Sequence, residues 1–260
     1  MAQTAPDLAV PRQDVSLRDW LPATLAAVAI AVLFGALTLG RGFVDVFVEE
    51  DGPVEWIGAV GLFAGAGLFF TAFLIARRRG GETVGLSRLG VWVLLLLALA
   101  LFVAGGEEIS WGQRLFGWGT PASIASVNAQ DETTLHNLTE FQSGILDGDR
   151  LFKLAWLTLF VLIPLVAAGW PRARAWLSRL VPIVPLRLAA LFVLTWVLAT
   201  VATHALVGHY SSIYPLSHAV SEVEEAIVET LAGVGALVTF VRVRRGAANP
   251  PSAAAREPAE

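Results

Sequence analysis

The sequence contains no cysteine. That excludes disulfides, thiolate metal sites, iron–sulfur clusters and a cysteine nucleophile. Charge is scarce as well: Asp, Glu, Lys and Arg make up 15% of the 260 residues, against about 25% in an ordinary soluble domain. The long apolar runs lack a polar face, which excludes the amphipathic helices of a soluble core. A cleavable secretory signal is not indicated either. The first apolar run starts near Leu21, and the segment before it (Arg12, Asp14, Arg18, Asp19) is not clearly basic. That run is therefore expected to be a retained helix.

Hydrophobic residues make up 55% of the chain. They fall into runs near the roughly 20 residues that cross about 30 Å of hydrocarbon. The expected fold is all-α, a polytopic transmembrane bundle of about six spans near 21–40, 54–76, 89–107, 152–170, 186–206 and 222–242. The second span carries Gly58, Gly61, Gly65 and Gly67, a small-residue stretch that lets a neighbouring helix approach closely.

Basic residues set the orientation, because short cytoplasmic loops carry the excess of Lys and Arg. One alternate set of loops and tails holds fourteen of them, and the other set only Arg41, Arg114, Arg150 and Lys153. Both termini are therefore expected in the cytoplasm. Residues 1–20 form a short leading segment, 21–245 a six-span membrane domain, and 246–260 a Pro/Ala-rich tail expected to be disordered.

The long outer loop, residues 108–150, is not of low complexity. Thr120-Pro121 reads as a helix cap followed by proline at the first helical position. Leu135, Leu138 and Phe141 recur at helical spacing from Asp131 onward. Trp111, Phe116 and Trp118 suit the headgroup region. A short amphipathic or partly re-entrant helical element is expected there, between spans three and four.

Acidic residues carry the main functional signal. Sixteen of the 22 Asp and Glu residues, with the four histidines (His136, His204, His209, His218) on or near the same side, fall at the outer ends of the spans. Acidic residues contribute little to topology, so the orientation rule does not explain this clustering. If the third helix continues through Gly106–Arg114, then Glu107, Ser110 and Arg114 share one face. The bland alternative is a helix end with Glu107 paired to Arg114. Glu132 and His136, at i and i+4, can offer two metal ligands or let the acid orient the imidazole; a solvated helix face would look the same. In the sixth span, Ser221 and Glu224 read as a capping box, and acids near a helix start are stabilised by its dipole. That account does not reach Glu229, about 10 Å further along the helix among apolar residues. A central membrane carboxylate costs about 2.5–3.5 kcal/mol on insertion scales. Glu222, Glu225 and Glu229 share one stripe, expected to face the bundle interior. In Glu49-Glu50-Asp51-Gly52-Pro53-Val54-Glu55, the Gly-Pro pair makes a turn before the second span, and Glu55 is the member expected to point inward. His204, inside the fifth span, reads equally as a ligand or as a satisfied structural hydrogen-bonder.

The string Glu107-Glu108-Ile109-Ser110-Trp111-Gly112-Gln113-Arg114, with Asn128, Gln130, Glu132 and Leu135-His136-Asn137-Leu138 after it, resembles a family of uncharacterised bacterial multi-pass membrane proteins. The resemblance covers about 30 residues directly and implies a bacterial inner-membrane location; it implies no particular chemistry. A looser analogy is with alkaline ceramidase-like membrane hydrolases, which hold zinc with histidines and an aspartate beside a serine. Ser110, Asp131, His136, His209 and His218 supply those residue types. Six spans instead of seven, an acid-rich site and no paired-histidine helix depart from that pattern.

The reading that follows is a membrane-embedded enzyme acting at the outer face on a lipid or lipid-linked substrate. Glu108, Ser110, His136 and Glu229 are its candidate catalytic residues, and Arg114, Gln113, Trp111 and Asn128 its candidate substrate contacts. Glu107, Glu132, His136 and Glu225 are candidate ligands for a divalent metal ion that would activate water or clamp a phosphate. Two other classes stay open. A cation- or proton-coupled transporter or channel predicts polar residues continuing to the cytoplasmic side. A scaffold or sensor binding a partner through the outer loop predicts tolerance of carboxylate substitutions. The cytoplasmic arginines are explained by topology and anionic lipids, so nucleic acid is not an expected partner.

Overall fold

A computed structural model describes residues 17–48, 52–128, 133, 134, 138, 148–210 and 216–248. Six helices in it are long and apolar enough to cross a membrane, and no strand occurs among the described residues. The fold is therefore an all-α, multi-pass transmembrane bundle.

The first span is α1 (Leu17–Ala36), followed by a short helix α2 (Arg41–Phe47). The second is α3 (Pro53–Arg79), which starts with Gly52 at its cap and Pro53 in its first turn. There the missing proline N–H costs nothing, because that group has no helical partner anyway. The third span is α4 (Arg88–Glu108), capped by the Ser87 hydroxyl, which accepts from Gly90 N at 3.0 Å. Two single-turn helices follow, α5 (Gln113–Phe116) and α6 (Ala122–Ala125).

The fourth span is interrupted. It runs through α7 (Gly148–Trp156), a π-helical stretch Leu157–Leu162, and α8 (Ile163–Gly169). Pro164 explains the widening, because it has no N–H for the Phe160 carbonyl and its ring pushes that carbonyl aside. After α9 (Pro171–Leu177) come the last two spans, α10 (Leu186–Tyr210) and α11 (Leu216–Ala248).

The most extensive interface in the bundle is between α3 and α11. Helix α3 also packs against α4, while α11 packs against α10, and α10 in turn against α1 and the fourth span. Glycine makes the central seam possible. A Cβ added to Gly61 would stand 2.9 Å from Thr230 Cα, and one on Gly65 would stand 3.2 Å from Gly233 Cα. Lipid tails give apolar helices little reason to associate, so such backbone-to-backbone approach carries much of the attraction. Gly67, expected in the same contact, has open space around it; the 3.6-residue period turns it away from the stripe formed by Gly58, Gly61 and Gly65.

Three expectations are corrected. Helix α11 begins at Leu216, so Ser221 lies inside it and cannot form the predicted capping box. Its hydroxyl instead donates to Glu225 Oε1 at 3.3 Å. At the outer-loop helix the cap is Pro121 rather than Thr120, and the Thr120 hydroxyl accepts from Gln113 Nε2 at 2.8 Å. Leu138, expected on a helix, forms an isolated antiparallel bridge with Asn128. Most of that predicted helix, residues 131, 132, 135–137 and 139–147, lies outside the described residues.

Candidate functional site

The site lies at the end of the bundle where α3 begins, α4 ends and α11 runs inward; we call it the acidic end. Its centre is Glu229, buried to 1% exposure among the apolar side chains of α11. A side-chain hydrogen bond joins Glu229 to Glu108, and Glu225 and Glu222 lie close enough to act on it through space. Two carboxyl groups can hydrogen-bond only across a proton that one of them carries. Glu229 and Glu108, on two helices that both pack against α3, are thus placed so that a proton on either one could be shared between them.

Gly58 forms the floor of this pair. A Cβ at Gly58 would collide with Glu229 Oε2 and stand 3.0 Å from Ala226 Cα. Only a residue without a side chain leaves room for the carboxyl between α3 and α11. The other oxygen, Glu229 Oε1, is buried and has no hydrogen-bond partner among the described residues. An unpaired acceptor at such depth is costly unless something supplies a donor.

Helix α4 does not continue through Gly106–Arg114. It stops at Glu108, and Ser110 (φ 46°), Trp111 (φ 54°) and Gly112 (φ 79°) follow in the left-handed region. Glycine adopts that conformation freely, whereas a serine and a tryptophan there cost about 1–2 kcal/mol each. The expected alignment of Glu107, Ser110 and Arg114 is thereby broken. Trp111 turns back over α4 instead, its indole N–H donating to Glu107 Oε1 at 2.6 Å. The ring lies against Gly106, where an added Cβ would meet it at 2.9 Å, and stands edge-on to Phe102. Ser110 is buried directly beneath the turn. Arg114 belongs to α5, and its side chain lies outside the described residues.

The remaining candidates separate into two groups. Gln113 and Asn128 hold the outer loop together. The Gln113 amide donates to Thr120 Oγ1 and accepts from Thr133 N and Oγ1, each at 2.8 Å. Asn128, itself buried, donates to Thr134 O at 3.0 Å. Glu225 and Glu222 are half-buried on the Glu229 stripe, and His218 pairs with Glu222 Oε1 at 3.5 Å. Glu55 is half-buried at the start of α3. His204 faces away from the bundle, and its Nδ1 is 2.8 Å from Thr200 O of its own helix. That geometry supports its structural reading.

Glu132 and His136, with Asp131, lie outside the described residues, as do the side chains of His209 and Tyr210. Among the described residues, no three of His, Asp and Glu come together as a metal-holding group. Sequence reasoning missed Gly58 as part of the site. It stood in the small-residue stripe, but nothing in the sequence paired it with Glu229 across two helices.

No family model, curated protein or solved structure matches the chain. The functional reading therefore rests on the site.

Proposed function

We propose that this chain is a membrane-embedded hydrolase or transferase of a bacterial inner membrane, acting by general acid–base catalysis on a lipid or lipid-linked substrate. The observation that carries the proposal is the buried Glu108–Glu229 pair, with one carboxyl oxygen of Glu229 lacking a hydrogen-bond partner among the described residues. Two carboxyls sharing one proton supply an acid and a base at the same point. One member can protonate a leaving oxygen while the other accepts a proton from the attacking water or alcohol. The positive-inside distribution of arginines supports a location of the pair at the outer, periplasmic face, with both termini in the cytoplasm. The sequence resemblance described above favours the bacterial setting.

A transporter is the weaker reading. Thr230 beside Glu229 adds one enclosed hydroxyl without a partner among the described residues, and beyond it, towards the opposite end, the buried polar residues are Thr195 and Thr239. Their hydroxyls are bonded to Leu191 O and Gly235 O of their own helices. Such groups do not line a path for ions or protons.

The test compares cells producing the wild type with cells producing Glu108→Gln or Glu229→Gln at matched protein levels. The expected result is a changed lipid and envelope-glycan profile that both variants fail to support. An unchanged profile in both variants would overturn the enzyme reading. Metal content of the detergent-purified protein, wild type beside Glu108→Gln/His136→Ala, tests the accompanying proposal of a divalent cation. Glu225 and Glu107, with Glu132 and His136 of the outer loop, are the groups proposed to hold it. Stoichiometric metal lost in the variant would add metal-assisted activation of water to the mechanism.

A further inference from the structure

A cleft of about 140 Å³ opens between α4 and the fourth span, with α11 contributing Thr239 to its wall. Ala100 and Ala104 line one side, and Phe152, Trp156 and Phe160 the other. Three observations bear on what occupies it.

The first is depth. Every wall but the short stretch at Pro182 and Val184 belongs to membrane-spanning helices, so the surrounding medium is hydrocarbon rather than water. The second is continuity with the site. Glu108 lies four residues beyond Ala104 and therefore on the same face of α4, one turn further towards the acidic end. The third is Trp156. It is 6% exposed, lines the cleft, and its indole Nε1 has no hydrogen-bond partner among the described residues. Buried tryptophan N–H groups ordinarily find an acceptor. Trp156 lies six residues into its span, near the boundary of the hydrocarbon, where the acceptor a bilayer lipid offers is the carbonyl of its acyl ester.

We propose that the cleft holds one acyl chain of an ester-linked lipid, whose carbonyl accepts from Trp156 Nε1 and whose headgroup end reaches the Glu108–Glu229 pair. The proposal rests on the acid–base reading of that pair and names its substrate class. Small residues on α4 leave room for the chain, and the aromatic face of the fourth span packs against it. A chain so held places the bonds near its head, rather than its methylenes, beside the carboxyls.

The experiment is a competition in detergent. Purified full-length protein is incubated with equal amounts of a diacyl phosphatidylethanolamine and its diether analogue, and retained lipid is read by native mass spectrometry. The two probes share headgroup and chains and differ only in the carbonyls. Wild type is expected to retain the ester about three- to tenfold better, the worth of one hydrogen bond. Trp156→Phe keeps the ring and removes the N–H, so it should retain both lipids equally. Ala100→Phe fills the cleft and should retain neither. Equal retention of ester and ether by wild type, or full retention by Ala100→Phe, would overturn the proposal. Glu229→Gln, which cannot turn the ester over, should keep the same ester-over-ether preference, because that preference is set at Trp156. Loss of the lipid profile in Glu229→Gln without any ester preference would sink the cleft while leaving the acid–base reading standing.

Discussion

The two ends of the bundle handle charge in opposite ways. At one end, Arg77, Arg78 and Arg79 close α3, and Arg244 and Arg245 close α11; all five are exposed. They sit where helix C-termini favour positive charge and where a bilayer meets water. Arg77 lies over the rings of Phe73 and Trp92, at 5.9 and 5.4 Å from their centroids, covering apolar surface with its stem. At the other end the carboxylates are drawn inward, and Glu229 is fully enclosed. Solvation accounts for the basic end without further explanation. It works against the acidic end, where burial has a cost that folding alone gives no reason to bear. An asymmetry of this kind points to chemistry at the acidic end and to topology at the basic one.

The largest effect should come from removing the buried acid. Glu229→Gln keeps shape and burial while removing the ability to give or take a proton. On the acid–base function proposed above, turnover of a lipid substrate should fall about 10²–10⁴-fold, the usual contribution of a positioned acid or base. Thermal unfolding in detergent should move little or upward, since a buried carboxyl is replaced by a neutral amide. A variant that instead unfolds would mean that Glu229 holds the bundle together, and the contrast between the two ends would then be structural.

The next largest effect tests the floor of the site. Gly58→Val places carbon where Glu229 Oε2 lies. Overpacking of this kind costs about 1–3 kcal/mol, and the displaced carboxyl should lose activity as well. Gly67→Val is the control, since an added side chain there meets nothing within 4 Å. Its stability should stay within about 0.5 kcal/mol of wild type. Similar losses at both glycines, measured by thermal unfolding in detergent, would show that Gly58 matters only as a helix residue.

Much of this contrast was legible in the sequence, and for a physical reason. Spans announce themselves by length and hydropathy, and an acid well inside one stands out against a uniform apolar background. Glu229 was found that way. Glu108 was among the candidates too, but nothing in the sequence paired an acid of α4 with one of α11, and the end of α4 was hidden as well. That end depends on Ser110 and Trp111 entering the left-handed region, which neither residue favours by itself. A helical period extended through Arg114 therefore predicted the wrong alignment. The cleft was hidden more deeply, because it is made of alanines and aromatics from helices distant in sequence, and no local pattern records a gap between them.

A smaller effect is expected at the strained turn that follows Glu108. Trp111→Phe retains a ring against Gly106 and Phe102 but loses the N–H bond to Glu107. Hydrogen bonds to charged groups contribute about 1.5–3 kcal/mol when buried. This one is half-buried, so a loss of about 1 kcal/mol is expected, read by thermal unfolding. Activity should fall less than in Glu229→Gln, because Trp111 holds Glu107, the neighbour of the carboxyl pair, and takes no part in proton transfer itself.

The smallest effect should come from the basic end, where the comparison is most easily broken. Arg78 and Arg244 line a shallow surface pocket with Arg79, and all three are exposed. Exposed charges far from buried networks change stability by no more than about 0.5 kcal/mol. Arg78→Gln and Arg244→Gln, alone or together, should therefore unfold like wild type and sustain the same lipid profile. Orientation should also hold, because twelve of the fourteen arginines assigned to that side remain and the bias is set by the whole set. A severalfold loss of activity in the double variant would not fit a passive role. It would mean that an anionic group must be held at this end while the carboxyl pair works at the other, and the two ends would then have to be read as one site divided by the membrane.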